Sequence, residues 1–335
     1  MKLNRKKIIS VISWALLFVV LFLIGFFIAR NSGDETKTIK RTQILLGTVV
    51  EIQVRDDDKN ADDAISKAFE EMKRIDDLFT TFNDQSPVFK INNQIDTIIK
   101  VDAEIYKLIV LCDSITKLSD GCFDVSLNNI IKAWGFDFDN FRVPAKSEID
   151  SASILSGWNN IKILAEDKIF KKRKVELNFG AIAKGYAVDK AIEVLKNSEI
   201  KEALVNAGGE ISVIGNNWTV GIQHPRKINS IIKKIKLNEN TIATSGDYEQ
   251  YFEVDGIRYH HILDPKTGYP STGLQSVTII NKSNTLADAL ATAVFVMGKE
   301  KGMKLIESLD DTEAMMIDSD GNIFYSSGFE KYLTN

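Results

Sequence analysis

The stretch ALVNAGGEISVIGNNWTVGIQ, Ala203–Gln223, decides the fold class. It holds three short β-rich pieces, Ala203–Val205, Ile211–Ile214 and Trp218–Gln223, each followed by turn residues. The run continues outward with Ile231–Leu237, Tyr251–Val254, Tyr259–Leu263 and Ser276–Asn281. Strands in runs, rather than in alternation with helices, predict an α+β fold with a largely antiparallel sheet and packed helices. Helices flank the run. Ala61–Phe79 carries Ala64, Ile65, Ala68, Phe69, Met72, Ile75, Leu78 and Phe79 at spacings of three and four. Glu104–Leu118 repeats the pattern with Ile105, Leu108, Ile109, Cys112 and Ile115, and Gly121 closes it. Further helices are expected at Ala183–Asn197 and Leu286–Met297. QILLGTVVEIQV, from Gln43, has strand composition broken by a glycine.

The N-terminus differs from the rest. Met1–Arg30 carries five basic residues and no acid, and Ile8–Ala29 is apolar except for Ser10, Ser13 and Gly25. As a helix these 22 residues would be about 33 Å long, enough to cross a bilayer. The basic cluster before them would stay in the cytoplasm. Residues 1–30 are thus expected to be a single-pass membrane anchor and 31–41 a polar linker. Residues 42–335 would be the functional domain, on the extracytoplasmic side. A cleaved signal peptide is the competing reading, but FFIARNSG makes a poor cleavage site. Of 42 basic residues 37 remain beyond the segment, against 46 acids, a formal charge of −9. That balance argues against nucleic acid as a partner. An anionic substrate would need a metal ion or helix N-termini. The two cysteines, Cys112 and Cys122, could pair outside the cell, while the helical stripe puts Cys112 in the core.

Several segments place glycine and polar residues where a plain core would not. In NFGAIAKGYAVD, Asn178–Asp189, a glycine turn opens a helix carrying Lys184 and Gly185, a shape suited to phosphate or to an ordinary strand-to-helix turn. VNAGGEISVIG, Val205–Gly215, reads as a glycine-loosened hairpin. On the last helix Asp288 and Thr292 lie at i and i+4, so both oxygens project from one face. A carboxylate and a hydroxyl suit Mg²⁺, with substrate oxygens completing the shell. HHILDPKTGYP, His260–Pro270, holds two of the three histidines. In a strand one of these neighbours would point inward and the other outward. Neutral imidazole is a natural acceptor for a hydroxyl proton.

Read together and in order, the segments LGTVVEI, TTFNDQSPVFKIN, GCFDVSL, WGF, NFGAIAKGYAVD, VNAGGEI, TSGDYEQYF, HHILDPKTGYP and ADALATAVFVMG resemble the ApbE family, the FAD:protein FMN transferases. The resemblance spans Thr42–Leu333. It implies an ApbE-like fold related to the T-fold. It also implies Mg²⁺-dependent cleavage of FAD, transfer of FMN to a Thr or Ser hydroxyl of a target protein, and release of AMP. By resemblance Asp288, Thr292 and the main-chain carbonyl of Ala181 hold Mg²⁺. Leu46, Phe82, Cys122, Phe123, Asp124, Asn178, Lys184 and the backbone of Leu263 hold the flavin and its pyrophosphate. His261 is similar to the family's proposed catalytic base. The implied acceptors are extracytoplasmic redox proteins with a Ser/Thr-Gly-Ala-Thr site. Two positions depart from the pattern. Asn178 stands where the family often has Asp, which favours a flavin contact over a metal role. Ala291 stands where some relatives have a second acid, which bears on metal affinity and ion count. Two alternatives remain at this stage: an FAD pyrophosphatase, and a non-catalytic flavin-binding surface protein that would need neither His261 nor Asp288.

Overall fold

An eight-stranded sheet organises the computed structural model, which describes residues 38–55, 60–137, 140–172 and 174–334. In chain order come β1 (Thr38–Leu45), β2 (Thr48–Arg55), α1 (Ala61–Phe79), α2 (Pro87–Asn92), β3 (Thr97–Lys100), α3 (Ala103–Leu118), α4 (Asn128–Trp134) and α5 (Lys146–Ile154). Then follow β4 (Ile161–Leu164), β5 (Lys168–Lys171), α6 (Ala183–Asn197), β6 (Ala203–Ala207), β7 (Glu210–Ile214), β8 (Trp218–Gln223), β9 (Ile231–Leu237) and β10 (Thr241–Gly246). The chain goes on through β11 (Tyr251–Val254), β12 (Ile257–His260), β13 (Leu274–Asn281), α7 (Asn284–Met297), α8 (Lys299–Ile306), β14 (Glu313–Asp318) and β15 (Ile323–Tyr325). The sheet runs β1-β2-β6-β7-β10-β13-β14-β15. From β2 to β15 each pairing is antiparallel, so the α+β expectation holds.

Side-chain alternation assigns the two faces. Val205 of β6 joins the helical core with Ile52, Ile65, Met72 and Val188, while Leu204 faces the opposite way. There Trp218, Ile222 and Leu237 of the β8–β9 hairpin cover Leu204, Val213, Ile280 and Met315. With both faces covered, all eight residues of β13 are buried. The α1 stripe is buried as its spacing predicts, except that Leu78 is half-buried. Each large apolar side chain of this kind stabilises the fold by about 1.5–3 kcal/mol. A fourth cluster gathers Trp134, Phe136, Phe252, Tyr259 and Tyr269 around the histidine segment.

Some expectations change, while the core position of Cys112 holds. Thr38–Arg41, placed in the expected linker, belong to β1 at the edge of the sheet. Arg41 is polar yet ordered, since Nη1 donates to Ser66 Oγ at 2.7 Å. The strand placed at Tyr259–Leu263 stops at His260, where the chain turns off toward a bridge between Leu263 and Pro270. Strand β10 is not among the expected strands, and it overlaps the motif TSGDYEQYF at Thr244–Gly246. Its small residues Ala243 and Ser245 let α7 lie close above it. Cys112 is buried and both cysteines are free. The expected anchor at 1–30 falls outside the described residues. Among the described residues no helix is long and apolar enough to cross a membrane.

Candidate active site

The site forms where α6 starts against α7. Ahead of α6 the turn Asn178–Ala181 is tied by Asn178, whose Oδ1 accepts from Gly180 N at 2.8 Å. Its Nδ2 donates to Asn128 Oδ1 at 3.0 Å. Gly185 N belongs to the first turn of α6, where no intrahelical acceptor exists. It donates to Asp288 Oδ2 of α7 at 2.9 Å. Only glycine permits this approach. A Cβ at 185 would stand 2.4 Å from Asn284 O and 2.8 Å from Asp288 Cβ. One turn on, Asp189 accepts from Ser283 Oγ, Asn284 N, Thr285 N and Thr285 Oγ1 at 2.7–2.9 Å. A carboxylate on α6 therefore caps α7, and the two helices set the position of Asp288.

Charge gathers at this junction. Lys184 Nζ donates to Glu210 Oε1 at 2.6 Å and lies 4.0 Å from Glu249 Oε2. Glu210 is 1% exposed, and its Oε2 has no hydrogen-bond partner among the described residues. Burial pushes the carboxyls of Glu210, Glu249 and Asp288 above the usual carboxylate range, with Lys184 opposing. Burial also disfavours the Lys184 ammonium, but Glu210, Glu249 and Asp288 outweigh it and hold its pKa above the ordinary lysine value. Three carboxyls thus crowd one ammonium in a buried place that favours their protonated forms. One turn beyond Asp288, Thr292 Oγ1 lies 3.1 Å from Ser245 Oγ. The donors are all oxygens, as a hard cation requires. Among the described residues no three His, Cys, Asp or Glu side chains form a ready cage. Mg²⁺ suits such a place, since one or two carboxylates and substrate phosphates commonly hold it. The oxygen donors of Asp288 and Thr292 thus fit the ion.

The two histidines divide their work. His260 is buried against Phe295. Its Nε2 donates to Ser271 O at 2.9 Å, and its Nδ1 accepts from Ile262 N at 3.3 Å. Both ring nitrogens are committed. His261 Nδ1 lies 3.2 Å from Gln250 O. A carbonyl can only accept, so Nδ1 carries the proton and Nε2 keeps its lone pair. Burial, then the nearby Lys184 charge, pull His261 down to about 4. It is neutral at pH 7, with Nε2 open. Trp134 steadies the loop, donating from Nε1 to Gly268 O at 2.8 Å.

The remaining predicted residues stand apart from this centre. Leu46 and Gly47 form the β1–β2 turn with φ of 55° and 69°, and Leu46 N donates to Asp76 Oδ2. Phe82 is 55% exposed on the loop after α1. The run Cys122–Asp124 offers less side chain than expected. Phe123 is in the core, and Asp124 accepts from Ser126 with Oδ1 and from Trp158 N with Oδ2. Those two side chains hold the fold, which leaves their main chain and half-buried Cys122 for a ligand. Leu263 is buried, but the bonds flanking it run through Ile262 and Asp264, so its own main-chain groups lie outside the bridge. The structure brings Gly185, next to Lys184, onto Asp288 through a hydrogen bond, and sets Glu249 4.0 Å from Lys184, next in the chain to the Gln250 carbonyl that holds His261. Sequence reasoning missed Glu210, Glu249, Ser245 and Asp189. All four lie inside the quoted glycine-rich segments, where a lone acid or hydroxyl was the available signal.

A fixed ammonium, an oxygen-lined cation position and a histidine with one open nitrogen suit an enzyme acting on an anionic, phosphate-bearing substrate. Residues 46–316 match the family model described as the ApbE family, and the chain belongs to that family. It is 30% identical over 300 residues to the FAD:protein FMN transferase of Klebsiella pneumoniae, covering 88% of this chain and 93% of that protein. The crystal structure of the ApbE protein of Thermotoga maritima superposes with a TM-score of 0.83 at 36% identity, covering 89% of this chain and all of that one. The apo flavinyl transferase ApbE of Pseudomonas stutzeri gives 0.78 at 30% identity, covering 88% and 96%.

Proposed function

We propose that this protein is an FAD:protein FMN transferase that moves the FMN half of FAD onto a Ser or Thr hydroxyl of an acceptor protein and releases AMP. The observation that carries this reading is the α6–α7 junction, where Gly185 N meets Asp288 Oδ2 beside Lys184, with Glu249 4.0 Å from Lys184 and its neighbour Gln250 holding His261. The acceptor O–H meets Nε2 of His261 and gives up its proton as the oxygen bonds to the FMN phosphorus. The phosphoanhydride bond to the AMP half breaks, and AMP leaves with that electron pair. Lys184, held by Glu210, offsets charge on the pyrophosphate. Asp288, Thr292 and the Ala181 carbonyl would hold Mg²⁺, which when bound neutralises and polarises a pyrophosphate. Leu46, Phe82, Cys122, Asn178 and the main chains of Phe123, Asp124 and Leu263 serve the flavin. Met1–Arg30 anchors the chain, so the reaction takes place outside the cytoplasmic membrane on envelope redox proteins.

Incubation of the protein with FAD, Mg²⁺ and an acceptor domain tests this. Flavinylated acceptor with AMP, both abolished by EDTA, is the expected result. AMP with free FMN only would make it a pyrophosphatase, and no AMP would make it a binder.

A further inference from the structure

The reaction has two substrates, and the FAD residues account for only one of them. A cleft of about 400 Å³ opens beside the centre, with Thr48, Asn206, Gly209, Gln223, Tyr248 and Glu249 among its walls. Its size falls among ligand sites, about 300–1,000 Å³. No residue that the resemblance gives to FAD or Mg²⁺ lines it. Two of its walls adjoin the catalytic groups. Glu249 stands 4.0 Å from Lys184 Nζ, and the next residue, Gln250, supplies the carbonyl that orients His261. Gly209 directly precedes Glu210, the other partner of Lys184. Glu249 therefore belongs both to the cleft wall and to the charged cluster around Lys184. Attacking and leaving oxygens lie roughly in line across phosphorus, so the acceptor hydroxyl must arrive from a side that AMP does not fill.

We propose that this cleft receives the acceptor protein's segment that carries the modified hydroxyl. This rests on the transferase reading. The walls suit an extended backbone. A Cβ on Gly209 would meet nothing within 4 Å, so main chain can come close there. Thr48, Gln223 and Thr244 offer neutral hydrogen-bonding groups, and Val49, 57% exposed, offers an apolar edge.

Two separate variants of the full-length protein test this, Val49→Arg on β2 and Gln223→Trp on β8, both at exposed positions. The probe is an acceptor domain with a Thr-Gly-Ala-Thr site. Each variant is expected to raise KM for the acceptor at least about tenfold, equivalent to about 1.4 kcal/mol. FAD affinity, read by flavin fluorescence without acceptor, stays at the wild-type value, as does kcat at saturating acceptor. Wild-type acceptor KM in both variants overturns the proposal. Weakened FAD binding also overturns it and gives the cleft to FAD. Wild-type protein that never flavinylates the acceptor instead overturns the transferase reading, a separate result visible before any variant is made.

Discussion

His260 and His261 are neighbours with opposite proton placements, and hydrogen bonding alone separates their roles. His260 spends both ring nitrogens on the fold, whereas His261 spends one. His261→Ala is expected to lower transfer at least about 100-fold, the scale of a positioned base, with FAD binding retained. An unchanged rate would remove His261 from the mechanism. The pH dependence has a definite sign. The neutral form accepts the proton, and burial with Lys184 holds its pKa at about 4, below the ordinary 6.5. The acid limb of kcat/KM, which reports the free enzyme, should therefore lie well below pH 6.5. Lys184→Met removes one of the depressing causes and should move that limb upward. A wild-type limb at 6.5, or one unmoved in the variant, contradicts this account. The histidine pair was legible in the sequence, but which one stays open was not. That depends on the strand ending at His260 and on a carbonyl from Gln250. Glu210 was equally hidden, because its partner Lys184 comes from α6 through folding alone.

At the scale of elements, the α6–α7 contact aims the Asp288 carboxylate. Gly185→Ala sets a methyl against Asn284 O and Asp288 Cβ, an overpacking that costs about 1–3 kcal/mol. Lower thermal stability together with weaker Mg²⁺ binding by calorimetry is expected, and wild-type values of both would contradict the close fit. Asp189→Ala leaves Asn284 N and Thr285 N without their carboxylate acceptor, while Ser283 still caps Leu286 N, and should cost about 0.5–2 kcal/mol, read as a lower denaturation midpoint. A midpoint at the wild-type value would show that the Asp189 carboxylate does not hold the start of α7. Helices α1 and α3 were legible because one face of each is buried and the other wet. β10 was not, because Ala243 and Ser245 were selected for the closeness of α7 rather than for strand propensity.

For the whole molecule, strand runs declared the α+β class, while strand order stayed hidden. β2 pairs with β6 across more than a hundred residues, Ile52 opposite Val205, and nothing local in either segment encodes that. The formal charge of −9 beyond residue 30 and the acid-rich centre make a divalent cation the natural partner of an anionic substrate. The N-terminal segment should bring the enzyme into the membrane fraction. Deletion of residues 1–30 should release it with activity intact, and a truncated protein still in the membrane pellet would contradict the anchor.

A junction of Asp288, Lys184 and His261 that moves FMN, rather than merely binding or hydrolysing FAD, must leave the flavin on the acceptor. Intact-mass spectrometry of the acceptor, with AMP quantified in the same reaction, tests it most directly. The account predicts one FMN per acceptor matched by one AMP for the wild-type protein, and neither product for Asp288→Ala. An acceptor of unchanged mass with the wild-type protein, or full flavinylation by Asp288→Ala, would contradict it.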